Sequence, residues 1–441
     1  MRRYSLILAL LSLCSISSMA QGQGPDPDGL KSMLSIGLES NYKLKIIRAE
    51  QQQYENEASI AYAGYLPDLA LDNDNDFTND VTNTKVRADG SNYTTRANNF
   101  SSALGLDLGW TIFDGFLIRT NHERYKELAS RSRVETRLAI EDFIASLASE
   151  YFNNVQQKQK LENLRSAAAL SRERLRIVRA RYMVGDYSRL DLQQARVDFN
   201  VDSANYIKQL EMVYTSSVEL AKLMVLDDVT EPVEVQDTVI TINIDLNYDD
   251  ILHKMMANNS ELISAEHDVN IAKLDMKRVL ARNYPSIGFS SGYDYNYDSY
   301  SRTTTRRTHI HGFAASVDVD ISLFDPKRRT DRRNAQIDID NANLSFADVE
   351  LELRAKLATV WQAYTNNLKL LRLEQSSIVA ASDNYTIAME RYMLGNLSGI
   401  EMREAQISLL DAEERIVTAT YNTKLCEISL LLLSGEITRY L

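Results

Sequence analysis

Residues 181–195 read RYMVGDYSRLDLQQA, and residues 391–405 read RYMLGNLSGIEMREA, 210 positions later. A second pair lies upstream of these. LDLGWTIFDG at 106–115 and VDVDISLFDP at 317–326 are 211 positions apart. Two different motifs recurring at nearly one interval make the chain two copies of one structural unit, each about half its length.

Glycine and proline are rare, with 16 and 6 in 441 residues, and their absence is concentrated. Neither occurs between Gly115 and Gly185, nor between Pro326 and Gly395. Both gaps are rich in Ala, Leu, Glu, Arg, Lys and Gln, which favour helix. Each gap predicts a helix of about 68 residues, roughly 100 Å long, packed as in a coiled coil. Leu138, Phe143, Leu147, Tyr151 and Val155 form an apolar stripe at three-to-four spacing, as do Leu353, Leu357, Val360 and Tyr364. The repeated motif ends each long helix. Gly185 and Gly395 break it, Ser188 and Ser398 cap the next helix in each copy, and these helices return over 189–224 and 400–434. Shorter helices are expected near 28–62 and 249–282.

Ahead of each long helix lies strict period two. Leu104, Leu106, Leu108, Trp110 and Ile112 alternate with Gly105, Asp107, Gly109 and Thr111. Phe313, Ala315, Val317, Val319, Ile321 and Leu323 alternate with small and acidic residues, among them Asp318 and Asp320. Partner strands begin at Pro67 and Pro285, over 67–77 and 285–297. In the latter Tyr293, Tyr295 and Tyr297 share a face opposite Gly292, Asp294 and Asn296. The strands against the long helices are 102–113 and 310–324, with polar loops at 78–100 and 298–309. Segments of about ten residues, apolar on one face and polar or Gly on the other, are the pattern of outer-membrane barrel strands. Four strands leave open edges, which a bilayer does not tolerate, so the chain must oligomerise. A dimer gives eight strands and a filled interior; a trimer gives twelve and a lumen.

The first residues read as an export signal. Arg2 and Arg3 precede an apolar run from Leu6 to Ile16, and Ser18-Met19-Ala20 offers a cleavage site. The expected division is a signal at 1–20, a first repeat at 21–224, a connector at 225–248 with a small strand or helix of its own, a second repeat at 249–434 and a tail at 435–441. Cys14 leaves with the signal, and bulky Leu13 disfavours a lipid anchor there. Cys426 then has no partner for a disulfide. The formal charge of −12 excludes a general attraction for nucleic acid or anionic lipid. No catalytic constellation, metal-ligand spacing or phosphate loop is present, so no enzyme, cofactor or metal is expected. His309 and His311 alternate beside Arg306 and Arg307 as a polar rim. Arg302, Arg306 and Arg307 make a solvated basic loop.

The repeated R-Y-x-x-G-x-x-S-x-x-(D/E) element, the strand-ending Phe-Asp before each long helix and the Pro opening each β segment together resemble the outer membrane efflux protein family, the TolC-like exit ducts of Gram-negative bacteria. The resemblance covers essentially the whole mature chain. It implies a homotrimeric α/β-barrel. A twelve-stranded β-barrel, four strands per chain, spans the outer membrane, and a helical barrel of coiled-coil helices projects through the periplasm. It implies a passive exit duct for small molecules or proteins in a tripartite efflux or type I secretion system. Its partners would be outer-membrane lipid, a periplasmic adaptor (membrane fusion) protein and an inner-membrane RND or ABC transporter. Docking tips carry over to Val184, Gly185 and Asp186 and to Leu394, Gly395 and Asn396. An acidic gate ring carries over to Asp191, Glu401 and Glu404, with Arg403 as an outward partner of the glutamates. Leu397 stands where relatives carry a latching Arg, so Arg189, or Arg391 with Tyr392, is expected to replace it. The other reading of the pattern is a periplasm-spanning scaffold or adhesin-like envelope protein without transport.

Overall fold

The computed structural model describes residues 29–85, 92–301 and 306–441; the export signal and Arg302 fall outside them. Two short helices, α1 (Leu30–Ser40) and α2 (Tyr42–Glu57), lead into β1 (Asp68–Lys85) and β2 (Asn92–Asp114). The long α3 (Leu117–Met183) and its return α4 (Arg189–Met224) close the first half. The second half repeats the order with α5 (Tyr248–Asn258), α6 (Ser260–Ala281), β3 (Ser286–Tyr300), β4 (Arg307–Asp320), α7 (Lys327–Met393) and α8 (Gly399–Leu433), then a 3₁₀ turn at Ile437–Tyr440. α3 and α7 are each 67 residues long, about 100 Å of helix.

Each expected single helix before the strands is two helices broken at an asparagine. The Asn41 side chain accepts from the amides of Lys43 and Leu44, and Asn259 accepts from Glu261 and Leu262. Each caps a new helix instead of continuing the old one. Each amide nitrogen also donates across the fold to the end of a return helix, Asn41 to Leu223 O at 3.2 Å and Asn259 to Leu433 O at 3.1 Å. This is a third duplicated feature, and apolar periodicity is blind to it.

The strands outrun the apolar pattern. The stretches 78–100 and 298–309, expected as loops, are largely strand: β1 reaches Lys85, β2 begins at Asn92, and β3 continues to Tyr300. Polar residues on both faces remove the period-two signal there while the ladder hydrogen bonds persist. The connector at 225–248 forms no helix or strand of its own before α5 begins at Tyr248. Side chains of the helices satisfy its backbone instead. Tyr364 donates to Asn243 O, Lys158 donates to Val235 O at 3.0 Å, and the Asn243 amide donates to Glu427 at 3.0 Å.

Two apolar clusters anchor the waist, one built mainly from the first half with Ile428, Leu431 and Ile437 of the second, the other from the second half alone. Met33, Leu34, Phe143, Leu147, Tyr151, Val155, Leu220 and Met224 pack together with Val235 and Ile240 of the connector. Ile251, Met255, Leu262, Leu353, Leu357, Tyr364 and Leu430 form the other. Burial raises the Tyr151 phenol, which donates to Asp237 at 2.6 Å. Burial also pushes Tyr364 up to about 12.

The strands form one antiparallel sheet in the order β1-β2-β3-β4, leaving β1 and β4 as open edges. One face carries Leu69, Leu71, Leu104, Leu106, Trp110, Phe313, Val317 and Val319, all exposed in the single chain. Phe100 and Trp110 lie ten residues apart on β2, about 33 Å along a strand and about 25 Å when tilted as in a barrel, the height of an outer-membrane apolar band flanked by aromatics. The other face alternates Asp with Gly across the ladder. Asp68 lies opposite Gly109, Asp72 opposite Gly105, and Asp107 opposite Gly292. A Cβ added at Gly292 would sit 2.5 Å from an Asp107 carboxylate oxygen, so the carboxylates lie flat over glycine backbone. No Lys or Arg stands on this face among the described strand residues.

Among the described residues no helix is long and apolar enough to cross a membrane. α3 packs against α2, α4, α6 and α8, and α7 packs against α6 and α8. The outer side of α7 is left free. Ile337, Leu344 and Leu351 stand on it at strict seven-residue spacing and are exposed, the spacing of a coiled-coil seam.

Candidate functional site

Both copies of the motif lie at the end of the molecule far from the sheet, where each long helix reverses. Gly185 has φ +84° and Gly395 φ +79°, a region that costs an L-residue about 1–2 kcal/mol. The Gly185 amide donates to Tyr182 O and the Asp186 amide to Arg181 O. Gly395 and Asn396 repeat this onto Tyr392 and Arg391. Both turns are therefore Schellman caps, which satisfy the last carbonyls of α3 and α7.

The next helices start identically too. Ser188 accepts from the Asp191 amide, and the Asp191 carboxylate accepts from the Ser188 amide at 3.0 Å. Ser398 and Glu401 do the same, again with 3.0 Å for the return bond. These are capping boxes. The serine hydrogen bonds hold the Asp191 and Glu401 carboxyls below their ordinary range. Two residues expected in the acidic ring are thus also helix caps. Glu404, one turn on, is exposed.

Each turn carries the same exposed apolar triplet. Met183, Val184 and Leu190 correspond to Met393, Leu394 and Ile400, each 210 residues apart and each more than half exposed. Asp186, Asn396 and Arg391 are exposed beside them, whereas Tyr392 is only 2% exposed. Tyr392 packs with Ala388, Met402, Ala405 and Leu397. Burial raises its phenol, and neighbouring Tyr187 adds to the shift. Leu397 fills this apolar cluster and makes no latch.

The side chains that bind one hairpin to the other lie elsewhere. Arg403 does not face Glu401 or Glu404. It turns inward and grips both carboxylate oxygens of Asp202 on α4, at 2.6 and 2.7 Å. Ser171 of α3 also donates to Asp202, and Gln406 of α8 reaches Ser171. Arg174 of α3 donates to Gly399 O at 2.9 Å and lies 3.0 Å from Asp198. Arg181 donates to the Tyr187 hydroxyl at 3.0 Å, stacks on its ring and reaches Met393 O. Asp198, Asp202 and Arg174 are buried. The sequence signal for them is polar residues at core spacing beside apolar ones, Ser171 and Arg174 before Val178 on α3 and Asp198, Asp202 and Gln209 after Ala195 on α4. Such residues interrupt an apolar stripe and are easily passed over.

The two turns enclose a crevice of about 290 Å³ lined by Arg174, Arg181, Asp186, Tyr187, Tyr392 and Ile400 among others. It contains groups from both turns of one chain. At the sheet end, His309 does not stand free. Its Nδ1 lies 2.8 Å from the Tyr295 hydroxyl, on the apolar face.

The sequence model of the outer membrane efflux protein family matches this chain twice, over residues 33–224 and 251–436. Outer membrane efflux protein BepC of Brucella suis biovar 1 (strain 1330) is 20% identical over 446 aligned positions, covering 99% of this chain and 92% of BepC. The Campylobacter jejuni CmeC outer membrane channel superposes with a TM-score of 0.77 at 17% identity, over 92% of this chain and 85% of CmeC. The outer membrane protein VceC of Vibrio cholerae gives 0.68 at 16% identity, over 92% and 96%.

Proposed function

The chain belongs to the outer membrane efflux protein family, and from that membership we propose that three copies close into a passive exit duct that carries cargo out through the outer membrane. The twelve strands would form the membrane barrel, and the long helices would carry the bore across the periplasm. Energy comes from an inner-membrane RND or ABC transporter reached through a periplasmic adaptor.

One observation carries this reading. The molecule has two chemically opposite ends, a sheet that is apolar outside and acidic inside, and a crown of duplicated turns with exposed apolar triplets. The first suits lipid on one face and water on the other. The second suits repeated, backbone-close docking of a partner with matching repeats. Six such turns surround one mouth in a trimer.

The crown also gates. Arg403 with Asp202, and Arg174 with Gly399 O, hold the α7–α8 hairpin against α3–α4 and take the place of the missing latch Arg, while Asp198 on α4 steadies Arg174. Glu404 and Glu401 from three chains would ring the opening with six carboxylates and favour cations. Reconstitution in planar bilayers tests the reading. Purified trimers should conduct, with cation preference, and an absence of any pore would leave a structural scaffold instead.

A further inference from the structure

The duplicated fold fixes how two copies of the chain join. β1 maps onto β3 by a shift of 218 residues, Pro67 to Pro285, and β2 maps onto β4 by 211, Leu106 to Val317. The pairing inside the chain obeys this operation. Leu71 lies opposite Leu106, and the mapped pair, Phe289 opposite Val317, is the pair observed. Asp68 opposite Gly109 likewise becomes Ser286 opposite Asp320, also observed. The operation therefore preserves register strand for strand.

One join within the chain, β2 to β3, has no counterpart, because β4 and β1 are the open edges. In that join Trp110 lies opposite Phe289, Gly109 opposite Ser290, and Asp107 opposite Gly292. We infer that β4 of one copy pairs antiparallel with β1 of the next in the register that the same operation gives: Ile321 opposite Leu71, Asp320 opposite Asp72, and Asp318 opposite Asp74. The occupant of the open edge is a second copy of this chain, and the inference rests on the trimeric reading above. Leu71 lies on the apolar face, and Ile321, the residue just past the end of β4, continues the odd-numbered alternation of Val317 and Val319; both are exposed in the single chain, so this register, with β4 extended by one residue, carries the outer belt across the seam.

The inner face differs from the join inside the chain. There a carboxylate meets glycine; at the seam carboxylate meets carboxylate, twice per joint. Like charges directly opposite on a sheet destabilise the pairing, and salt screens them. The seams between copies are therefore the salt-sensitive lines of the barrel, and the joins within each copy are not.

Disulfide trapping in the full-length protein, on a Cys426→Ser background, tests the register. Strand partners directly opposite lie about 4.5–5.5 Å apart at Cα, within disulfide reach. L71C with I321C on the outer face and D74C with D318C on the inner face should oxidise to covalent trimers. L69C with I321C and N73C with I321C, displaced by two residues to about 7–8 Å, should stay largely uncrosslinked. Faster trapping in a displaced pair would overturn the register while leaving the trimer standing. A sedimentation profile without trimers before oxidation would instead remove the assembly on which the register rests. Asp318→Asn should raise the temperature at which trimers dissociate at low salt, with the gain vanishing at high salt. No gain at low salt would overturn the facing carboxylates.

Discussion

The two tip turns share a backbone and its caps and differ in the side chains that join one hairpin to the other. Glycine at positive φ, paired Schellman bonds, a serine cap with its returning carboxylate and an exposed apolar triplet appear in both. Around them the first copy gathers Arg174, Arg181 and Tyr187, and the second gathers Tyr392, Leu397 and Arg403. Asp186 in one is Asn396 in the other, and Asp191 is Glu401. Duplication kept what shapes the chain and let the contacts between hairpins diverge. A docking surface needs the shared features, and a gate needs the unshared ones.

The comparison breaks most sharply at the glycines. A Cβ at Gly185 or Gly395 meets nothing within 4 Å, so Gly185→Trp or Gly395→Trp should leave trimers assembled, at a cost of about 1–2 kcal/mol of local strain, yet abolish export. In the proposed docking, each blocks a turn that a partner's backbone would approach. Export at the normal level in both variants, measured as cargo efflux from whole cells, would take docking away from the turns.

The unshared contacts come next. Removing one member of a buried pair costs about 3–5 kcal/mol, since the other charge is left unpaired. Asp202→Leu should release the second hairpin from the first and raise single-channel conductance well above the parent. Conductance unchanged from the parent would assign the Arg403–Asp202 pair to folding alone.

Charge at the mouth should respond less. Glu401→Gln with Glu404→Gln keeps a capping residue after Ser398 but should lower cation selectivity and block by multivalent cations. Because the serine hydrogen bonds depress the Glu401 carboxyl, it loses its charge at a lower pH than an ordinary glutamate. The part of the parent's selectivity that Glu401 carries should fade at that lower pH. The same sign holds for the cap, which is fully formed above the unfolded carboxyl's value and lost as pH falls through the depressed one. Reversal potentials across a salt gradient, taken over pH, read both; identical potentials in the double variant would place the filter elsewhere.

The smallest effect concerns the ends of the return helices. Val225 holds φ +56° at the end of α4, where the second copy has Gly435 at +71°. Both close Schellman bonds, Val225 onto Lys222 O and Gly435 onto Leu432 O. A β-branched residue there is strained, so Val225→Gly should stabilise the first half by about 1 kcal/mol less the added chain entropy of glycine. Denaturant midpoints of the two proteins settle the sign.

Much of this fold is legible in the sequence. The long helices, the reversals and the strand alternation each leave a signal strong enough to repeat. What escapes is carried by hydrogen bonds without periodicity. Asn41 and Asn259 break helices with one side chain apiece, and 78–100 pairs largely as strand with polar residues on both faces. The site is half legible for the same reason. Residues in the repeated motif point to the tips, but Arg174, Asp198 and Asp202 lie one to three turns away, where a polar group at a core position looks like noise until its partner on another helix is seen. For Arg403 the sequence suggests the wrong neighbour, because nearness along the helix favours Glu401 and Glu404 over Asp202, 201 residues distant.

The unequal hairpins have an outcome for whatever meets the duct from outside. β2 begins at Asn92, but the first of its residues to pair with β3 is Asn99, opposite Tyr300, so seven residues of β2 run beyond its pairing with β3, about 23 Å along the strand. In the proposed trimer, longer paired ribbons would alternate with shorter ones, and the outer mouth would be castellated rather than level. A large molecule approaching from above would meet three merlons first, while small cargo would leave sideways through the three notches between them.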